Sequence, residues 1–322
     1  MQYYCAPMEG LTGAVFRRVH HQYFPGIDRY VTPFVAPTQN HCFTPRELRE
    51  LLPEDHRDIP VVPQLLTKSA TDFLWAAGEL AQMGYQEVNL NLGCPSGTVV
   101  AKGKGAGLLA HPEELNRMLE EIFSVAPLRI SLKTRLGLRA AAEFPTLLEI
   151  YNRYPISELI LHPRVREDFY RGEVHMPSVK YACQMGKAPL CYNGDLTTPG
   201  QCTALARDFP GVGAIMLGRG LLADPALCTK LQGGEEADRE TLRAFHNALY
   251  EGYCAAFGSR HSAMQRMKEF WSYLIVRFEG GEKAMKRLRK AAHHQEFERL
   301  AQDVLCHLPR KKEADSPGNG DV

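Results

Sequence analysis

Short apolar runs rich in β-branched residues alternate with amphipathic segments from the start of the chain to about residue 232. Eight of these runs have the length and composition of strands: 3–7, 29–33, 61–65, 87–91, 129–134, 158–162, 189–193 and 214–217. Helix candidates lie between them, at 70–83, 112–125, 143–154, 199–207 and just after Asp224-Pro225. Strands that alternate with helices form a parallel sheet, and eight units in roughly 230 residues match a (β/α)8 barrel. A doubly wound open sheet is the alternative, but no GxGxxG follows the first strand, and the glycines at 103, 105 and 107 lack P-loop spacing.

The pattern changes after Gly233-Gly234, where the chain becomes entirely helical in character. Helices are predicted over 238–257, 261–278, 281–292 and 294–308, separated by turn signals at Gly258-Ser259 and Gly280-Gly281. We therefore expect an α/β protein with a TIM barrel over residues 1–235, a small C-terminal helical bundle over 236–308 and a disordered polar tail over 309–322.

Composition indicates a soluble globular protein, since 44% of the 322 residues are hydrophobic and 23% are charged. No apolar run is long enough to span a bilayer, and the first residues lack the basic and apolar regions of a signal peptide. We therefore expect a cytoplasmic protein that does not bind membranes, and a monomer. The nine cysteines are odd in number and include no CxxC pair, which argues against a zinc site and against a disulfide framework.

Positive charge is concentrated near the C-terminus, although the net charge is only +1. Residues 260–312 hold 13 Lys and Arg against 6 Asp and Glu, and the remainder of the chain holds 25 against 31. Lys283, Lys286, Arg287 and Lys290 have the spacing of one helix face, which cations at Arg260, Arg266 and Lys268 could extend. A basic segment on an acidic body suggests a polyanionic partner, whereas the commoner explanation is a solvated helix face.

Polar residues recur at the carboxyl ends of the predicted strands, the end at which TIM barrels hold their active sites. They are Glu9, Gln64, Asn89, Asn91, Cys94, Lys133, Arg135, His162, Arg164, Asn193, Asp195 and Arg219. Cys94 lies just past the fourth strand on a loop rich in Gly and Pro, where it is either a catalytic thiol or a buried structural one. Asn193-Gly194 and Gly218-Arg219-Gly220 follow the last two strands, whose loops bind phosphate in many barrels. These residues predict a phosphorylated ligand across the barrel mouth.

Several of these segments together resemble one family, the tRNA-dihydrouridine synthases. The matching segments are 6–10 (APMEG), 91–95 (NLGCP), 102–107 (KGKGAG), 132–137 (LKTRLG), 192–195 (YNGD), 217–220 (LGRG) and 267–274 (MKEFWSYL). The resemblance covers the chain to about residue 308. It implies a flavoenzyme that reduces uridines in tRNA to 5,6-dihydrouridine, with FMN as cofactor and NADPH as reductant.

The resemblance also implies roles for single residues. Pro7, Met8, Glu9, Gln64, Lys133 and His162 would contact the flavin ring, and Asn193, Gly194, Asp195, Gly218 and Arg219 would hold its phosphate. Cys94 would be the general acid that gives a proton to uracil C5, after hydride transfer from reduced flavin N5 to C6. Asn91, Arg135, Arg164 and Tyr170 would bind the uracil. The family usually has His-Gly-Arg-Thr after strand six, whereas this chain has His162-Pro163-Arg164-Val165, which leaves the aim of His162 and Arg164 open.

Two other classes of protein fit parts of the pattern. One is an FMN barrel oxidoreductase that acts on a small molecule, although a small substrate would give the basic helical segment no purpose. The other is a non-catalytic RNA-binding protein built on a decayed barrel, although the reactive positions keep chemically suitable residues.

Overall fold

The computed structural model describes residues 1–56 and 58–311. Two compact units divide the chain. The first comprises Met1–Ala14, Asp28–Asp195 and Ala206–Leu217, and it contains the whole β-sheet. The second comprises Val15–Ile27, Leu196–Leu205 and the chain from Gly218 onwards.

The sheet contains nine parallel strands in the order β3-β2-β1-β9-β8-β7-β6-β5-β4. The strands are β1 Gln2–Cys5, β2 Arg29–Val31, β3 Val61–Val62, β4 Gln64–Leu65, β5 Glu87–Leu92, β6 Arg129–Arg135, β7 Leu159–His162, β8 Leu190–Tyr192 and β9 Val212–Leu217. The two ends of this order, β3 and β4, are halves of one extended segment separated by Pro63, which has no N–H to donate. The sheet therefore closes on itself, and the prediction of an eight-unit barrel is confirmed.

Small and medium apolar side chains fill the barrel interior. The cluster is formed by Tyr4, Ala6, Val31, Val62, Ile160, Cys191, Ala214 and Met216, all buried. Alternate residues of a strand point to opposite faces, so Ser131, Lys133 and Arg135 on β6 share the inner face. Thr134 lies on the outer face, where its hydroxyl hydrogen-bonds the Tyr151 hydroxyl at 3.0 Å.

Paired charges close the N-terminal end of the barrel. Arg29 at the start of β2 lies 3.2 Å from Glu87 at the start of β5 and 3.6 Å from Glu158 just before β7. The Tyr4 hydroxyl donates to Glu158 at 2.9 Å, and burial with the nearby Glu158 carboxylate raises the pKa of Tyr4. The carboxylates of Glu87 and Glu158 are thus both paired with a cation at this end of the barrel.

The described part of the chain before residue 232 contains ten α-helices. They are α1 Ala14–Tyr23, α2 Pro45–Leu51, α3 Ala70–Gln82, α4 Gly97–Val100, α5 Pro112–Val125, α6 Phe144–Tyr151, α7 Met176–Met185, α8 Pro199–Asp208, α9 Arg219–Ala223 and α10 Leu227–Leu231. In α5 the buried residues Leu115, Met118, Leu119 and Ile122 have the spacing of one apolar stripe, and Pro112 begins the helix. The sequence predicted α3, α5, α6, α8 and α10 and missed α1, α2, α4, α7 and α9.

Four further helices make up most of the second unit: α11 Arg239–Phe257, α12 Arg260–Leu274, α13 Gly281–Lys290 and α14 His294–His307. Asp238 and Ser259 cap α11 and α12, and Gly258 ends α11 in the left-handed conformation. Helix α11 packs against α12 and α14, and the buried Trp271 indole donates to His246 at 3.0 Å. The C-terminal helices predicted from the sequence are present.

Most of the tail predicted to be disordered, 309–322, lies outside the described residues. Its first three residues are placed: Arg310 forms an antiparallel bridge with Phe278, and the Lys311 N–H donates to the Arg277 carbonyl at 2.8 Å. None of the helices in the described chain is long and apolar enough to cross a membrane.

Candidate active site

Polar side chains from neighbouring strands meet at the C-terminal end of the barrel because the strands are parallel and in register. Gln64 pairs with Asn89, Asn91 with Lys133, and Arg135 with His162. All six lie in the first unit. The predicted convergence at this end is thereby realised for five strand positions assigned to the site, together with Asn89.

Buried amides connect three of these strands. Asn91 Nδ2 donates to Gln64 Oε1 at 2.7 Å, and Gln64 Nε2 donates to Asn89 Oδ1 at 2.8 Å. Asn89 Nδ2 then donates to the Ser131 hydroxyl at 3.0 Å. A satisfied buried network of this kind holds its members in one arrangement. No specific role was predicted for Asn89 or Ser131, although Asn89 pairs in register with Gln64 and with Ser131 on the two adjacent strands.

The loop that carries Cys94 is fastened from both sides. Asn91 Oδ1 accepts from the backbone N–H groups of Gly93 at 3.0 Å and Cys94 at 2.9 Å, while Arg135 Nε donates to the Gly93 carbonyl at 2.9 Å. Gly105 has a φ of +56°, and a Cβ there would lie 3.0 Å from the Cys94 Cβ. Glycine at position 105 therefore lets the backbone there pack directly on Cys94.

The Cys94 thiol is half-buried and remains protonated at neutral pH. Burial raises its pKa above the ordinary value, although the Ser96 backbone N–H and the cations Arg135 and Lys133 act in the opposite direction. A protonated thiol can donate a proton, whereas a thiolate would act as a nucleophile.

Two cations occupy the inner face of β6 beside this loop. Burial lowers the pKa of Lys133 from 10.5 to about 8, and the neighbouring Arg135 adds to the shift. Arg135 is 1% exposed and also donates to the Val165 carbonyl at 3.1 Å. Its guanidinium lies 5.2 Å from the centre of the Tyr170 ring. Two cations held at one site favour an anionic ligand or an anionic reaction intermediate.

Pro163 forms a tight turn that brings Arg164 back onto His162. The Arg164 N–H donates to the His162 carbonyl at 2.8 Å across Pro163, and the fixed φ of proline suits such a three-residue turn. Arg164 Nη1 then lies 3.3 Å from His162 Nε2, and Arg164 Nη2 forms an ion pair with Asp195. The departure from the family pattern at Pro163 therefore keeps His162 and Arg164 together.

Tyr170 is 54% exposed at the barrel mouth, with its ring stacked on His162 at 6.1 Å between centres.

On the loop after β1, the Met8 N–H donates to the Thr12 hydroxyl at 2.8 Å, next to the half-buried Pro7. Glu9 is exposed and lies 2.5 Å from Arg46, yet its charge is near enough to affect Cys94.

The predicted phosphate loops lie in different units. After β8, Asn193 Nδ2 donates to the Met216 carbonyl at 2.8 Å, and Asp195 has a φ of +42°, which Asp tolerates better than most residues. A Cβ on Gly194 would lie 2.8 Å from the Tyr192 hydroxyl oxygen. In the second unit, Gly218 precedes α9, and the exposed Arg219 is its first residue.

Comparisons with known proteins identify the family. A family model described as dihydrouridine synthase (Dus) matches residues 4–312. The tRNA-dihydrouridine synthase B of Proteus vulgaris is 29% identical over 231 residues, covering 70% of this chain and 69% of that protein. The tRNA-dihydrouridine(16) synthase of Cupriavidus necator is 30% identical over 250 residues, covering 74% of this chain and 76% of that protein.

Solved structures with the same fold are more distant in sequence. The old yellow enzyme homologue from Zymomonas mobilis has a TM-score of 0.53 at 12% identity, covering 74% of this chain and 91% of its own. Morphinone reductase has a TM-score of 0.54 at 12% identity, covering 74% of this chain and 88% of its own. These two support the barrel fold alone, whereas the family model spans nearly the whole chain. The chain belongs to the dihydrouridine synthase family.

Proposed function

We propose that this protein reduces specific uridines in tRNA to 5,6-dihydrouridine, with FMN as its cofactor and NADPH as the external reductant. The observation that carries the proposal is the position of the half-buried Cys94, whose loop is held by Asn91 and Arg135, near the half-buried cation Lys133. Membership of the dihydrouridine synthase family supports the reaction.

The residues at the barrel mouth fit a flavin mononucleotide. Lys133 supplies a positive charge on the inner face of β6; the ring of His162 lies on the adjacent strand β7, and the amide of Gln64 lies on β4, beyond β5. Pro7, Met8 and Glu9 complete the set of residues proposed to contact the flavin ring. When bound, the flavin supplies the hydride that goes to C6 of the uracil.

The proposed phosphate contacts combine backbone N–H groups with one cation. A Cβ on Gly220 would lie 2.2 Å from the Leu196 carbonyl oxygen, so this turn requires glycine. Gly218 and the exposed Arg219 would bind the phosphate here, and Asn193, Gly194 and Asp195 would bind it after β8. Because the Asp195 carboxylate is paired with Arg164, its proposed contribution comes from the backbone.

Cys94 would supply the proton that completes the reduction. Addition of hydride at C6 of the C5=C6 bond leaves negative charge on C5 and O4, and a proton from Cys94 Sγ forms the new C5–H bond. The resulting thiolate then recovers a proton from solvent. The raised pKa of Cys94 suits this role because the thiol is protonated before each turnover. Asn91, Arg135 and Tyr170 are proposed to contact the uracil, which must leave the RNA stack.

The helical segment 236–308 is proposed to bind tRNA through the exposed face of α13. Lys283, Lys286, Arg287 and Lys290 are all exposed there, and none of them forms an ion pair within the described chain. The cations expected to extend this face are engaged with protein groups. Arg260 pairs with Glu251 and Glu298, Arg266 pairs with Glu269, and Lys268 donates to the Ala291 carbonyl.

The central test compares Cys94→Ala with Cys42→Ala, since Cys42 is an exposed cysteine in the same unit. Purified protein should be yellow and release FMN on denaturation. Cys94→Ala should keep flavin and still oxidise NADPH, but form almost no dihydrouridine in tRNA transcripts, whereas Cys42→Ala should match the wild type. Near-normal product formation by Cys94→Ala would show that the Cys94 thiol is not the proton donor. Colourless wild-type protein that cannot bind FMN would favour a non-catalytic RNA-binding role.

A charge-reversal series tests whether the exposed face of α13 binds tRNA. Changing Lys286, Arg287 and Lys290 to Glu should weaken tRNA binding and reduce its salt dependence. Each lost phosphate contact lowers the slope of log binding constant against log salt concentration by about 0.7–0.9. NADPH oxidation should be unaffected. The control changes three exposed cations of the first unit to Glu: Arg117, Lys180 and Lys187. Equal effects from both series would show that general charge, and not α13, governs binding.

A further inference from the structure

Arg164 was expected to bind the uracil, but its guanidinium is directed at protein groups. The side chain is 2% exposed, and Nε donates to the Arg171 carbonyl at 3.1 Å. Nη2 donates to the Gly172 carbonyl and to the Asp195 carboxylate, and Nη1 points at His162 Nε2. Four of the five N–H donors of an arginine are therefore used within the protein.

The contact with His162 determines which imidazole nitrogen carries the proton. A guanidinium has N–H donors and no acceptor, so in the 3.3 Å contact Nε2 must accept. A nitrogen that accepts through its lone pair carries no proton. In the neutral ring the proton then lies on Nδ1.

We propose that Arg164 is a positioning residue that fixes His162 in the Nδ1–H tautomer, so that the imidazole offers a hydrogen-bond donor, and not an acceptor, to its ligand. The inference rests on the proposed function only in taking that ligand to be the flavin. A donor suits a ring that becomes negatively charged on reduction, whereas an acceptor lone pair would repel that charge.

Several independent contacts fix the orientation of the guanidinium. Pro163 sets the turn between His162 and Arg164, and the Asp195 carboxylate and two loop carbonyls each take a separate N–H. Arg164 is thereby held by the loops that follow both β7 and β8. Rotation of the guanidinium away from Nε2 would break several of these contacts together, so the tautomer is fixed by the fold.

The tautomer can be read directly from the ¹⁵N chemical shifts of the histidine side chains at a pH of about 8, where a free imidazole is neutral. His162→Asn identifies the signals of His162 among the twelve histidines. In the wild type we expect a protonated Nδ1 and an unprotonated Nε2. Arg164→Met should lose this preference. Arg171→Met should retain it, because that exposed arginine contributes only its backbone carbonyl to the contact. A protonated Nε2 in wild-type protein would overturn the inference without requiring any variant to fold.

Kinetics separate positioning from substrate binding. If Arg164 acts through His162, Arg164→Lys should slow flavin reduction by NADPH in the absence of tRNA by about tenfold or more, the change expected for one hydrogen bond to a charged group. If Arg164 binds uracil instead, flavin reduction should be unchanged and only the KM for tRNA should rise. Wild-type protein with the expected tautomer and no dihydrouridine product would refute the proposed function while leaving this inference intact.

Discussion

Lys133 is the residue whose replacement should most clearly separate stability from activity. Burial lowers its pKa from 10.5 to about 8, so the folded state holds the charged form less favourably than the unfolded chain does. A shift of that size corresponds to about 3 kcal/mol. Lys133→Met should therefore stabilise the protein at pH 7 by up to about 3 kcal/mol while lowering flavin-dependent turnover.

The pH dependence provides the diagnostic sign. Below pH 8 both states bind the proton on Lys133, so the full cost of the buried charge is present. Between about 8 and 10.5 the unfolded state binds more protons, so wild-type stability rises with pH through this group. The advantage of Lys133→Met should then shrink to less than about 1 kcal/mol near pH 10.

Peptide-resolved hydrogen exchange in β6 is the suitable assay, because a single unfolding midpoint would average two compact units. Samples should have matched flavin content, since bound ligand stabilises by mass action. Lys102→Met, at an exposed lysine on the loop after Cys94, is the control and should change protection little. An equal gain at pH 7 and pH 10, or a loss at pH 7, would refute the reasoning.

Three further outcomes are expected around the cysteine loop. Gly105→Ala should destabilise the protein by about 1–3 kcal/mol because of its positive φ and its contact with Cys94, whereas Gly78→Ala, in open space on α3, should stabilise slightly; peptide-resolved hydrogen exchange within the first unit compares them. Asn91→Ala should increase hydrogen exchange at Gly93 and Cys94, and Asn91→Asp, which keeps the accepting oxygen, should increase it less. Because burial raises the pKa of Cys94, its alkylation by iodoacetamide should reach half its maximum rate at a higher pH than that of a cysteine in an unstructured peptide, measured by peptide mass spectrometry.

The barrel could be predicted because its strands are short apolar runs bounded by clear turns, and each observed bound lies within two residues of the predicted one. The interruption of the third predicted strand at Pro63 can also be explained from the sequence, because proline has no N–H to donate to a neighbouring strand. Helix α1 was missed for a physical reason: its buried face includes Arg17 and His20, so no clean apolar stripe marks it. Helix α2 was also missed, although Thr44 and Glu47 form a capping box that marks its start in the sequence.

The contacts that organise the site could not be predicted from the sequence. Arg135 and the Gly93 carbonyl that it binds are 42 residues apart, and Arg164 and Asp195 are 31 apart. Strand-end spacing places such residues at the same end of a barrel but does not specify which atoms meet. The turn at Pro163 illustrates the limit, because the proline left the direction of Arg164 open until its hydrogen bonds were known.

The charges at the two ends of the barrel differ in a way that bears on function. At the N-terminal end Arg29 lies against the carboxylates of Glu87 and Glu158, so the buried charges compensate one another. At the C-terminal end, the only ion pair that the described residues form with Lys133, Arg135 or Arg164 is the one between Arg164 and Asp195. Cations without an opposite charge nearby cost stability, and the anion proposed to bind here would offset that cost. A reduced flavin, or a uracil that gains negative charge during reduction, would complete this site electrostatically.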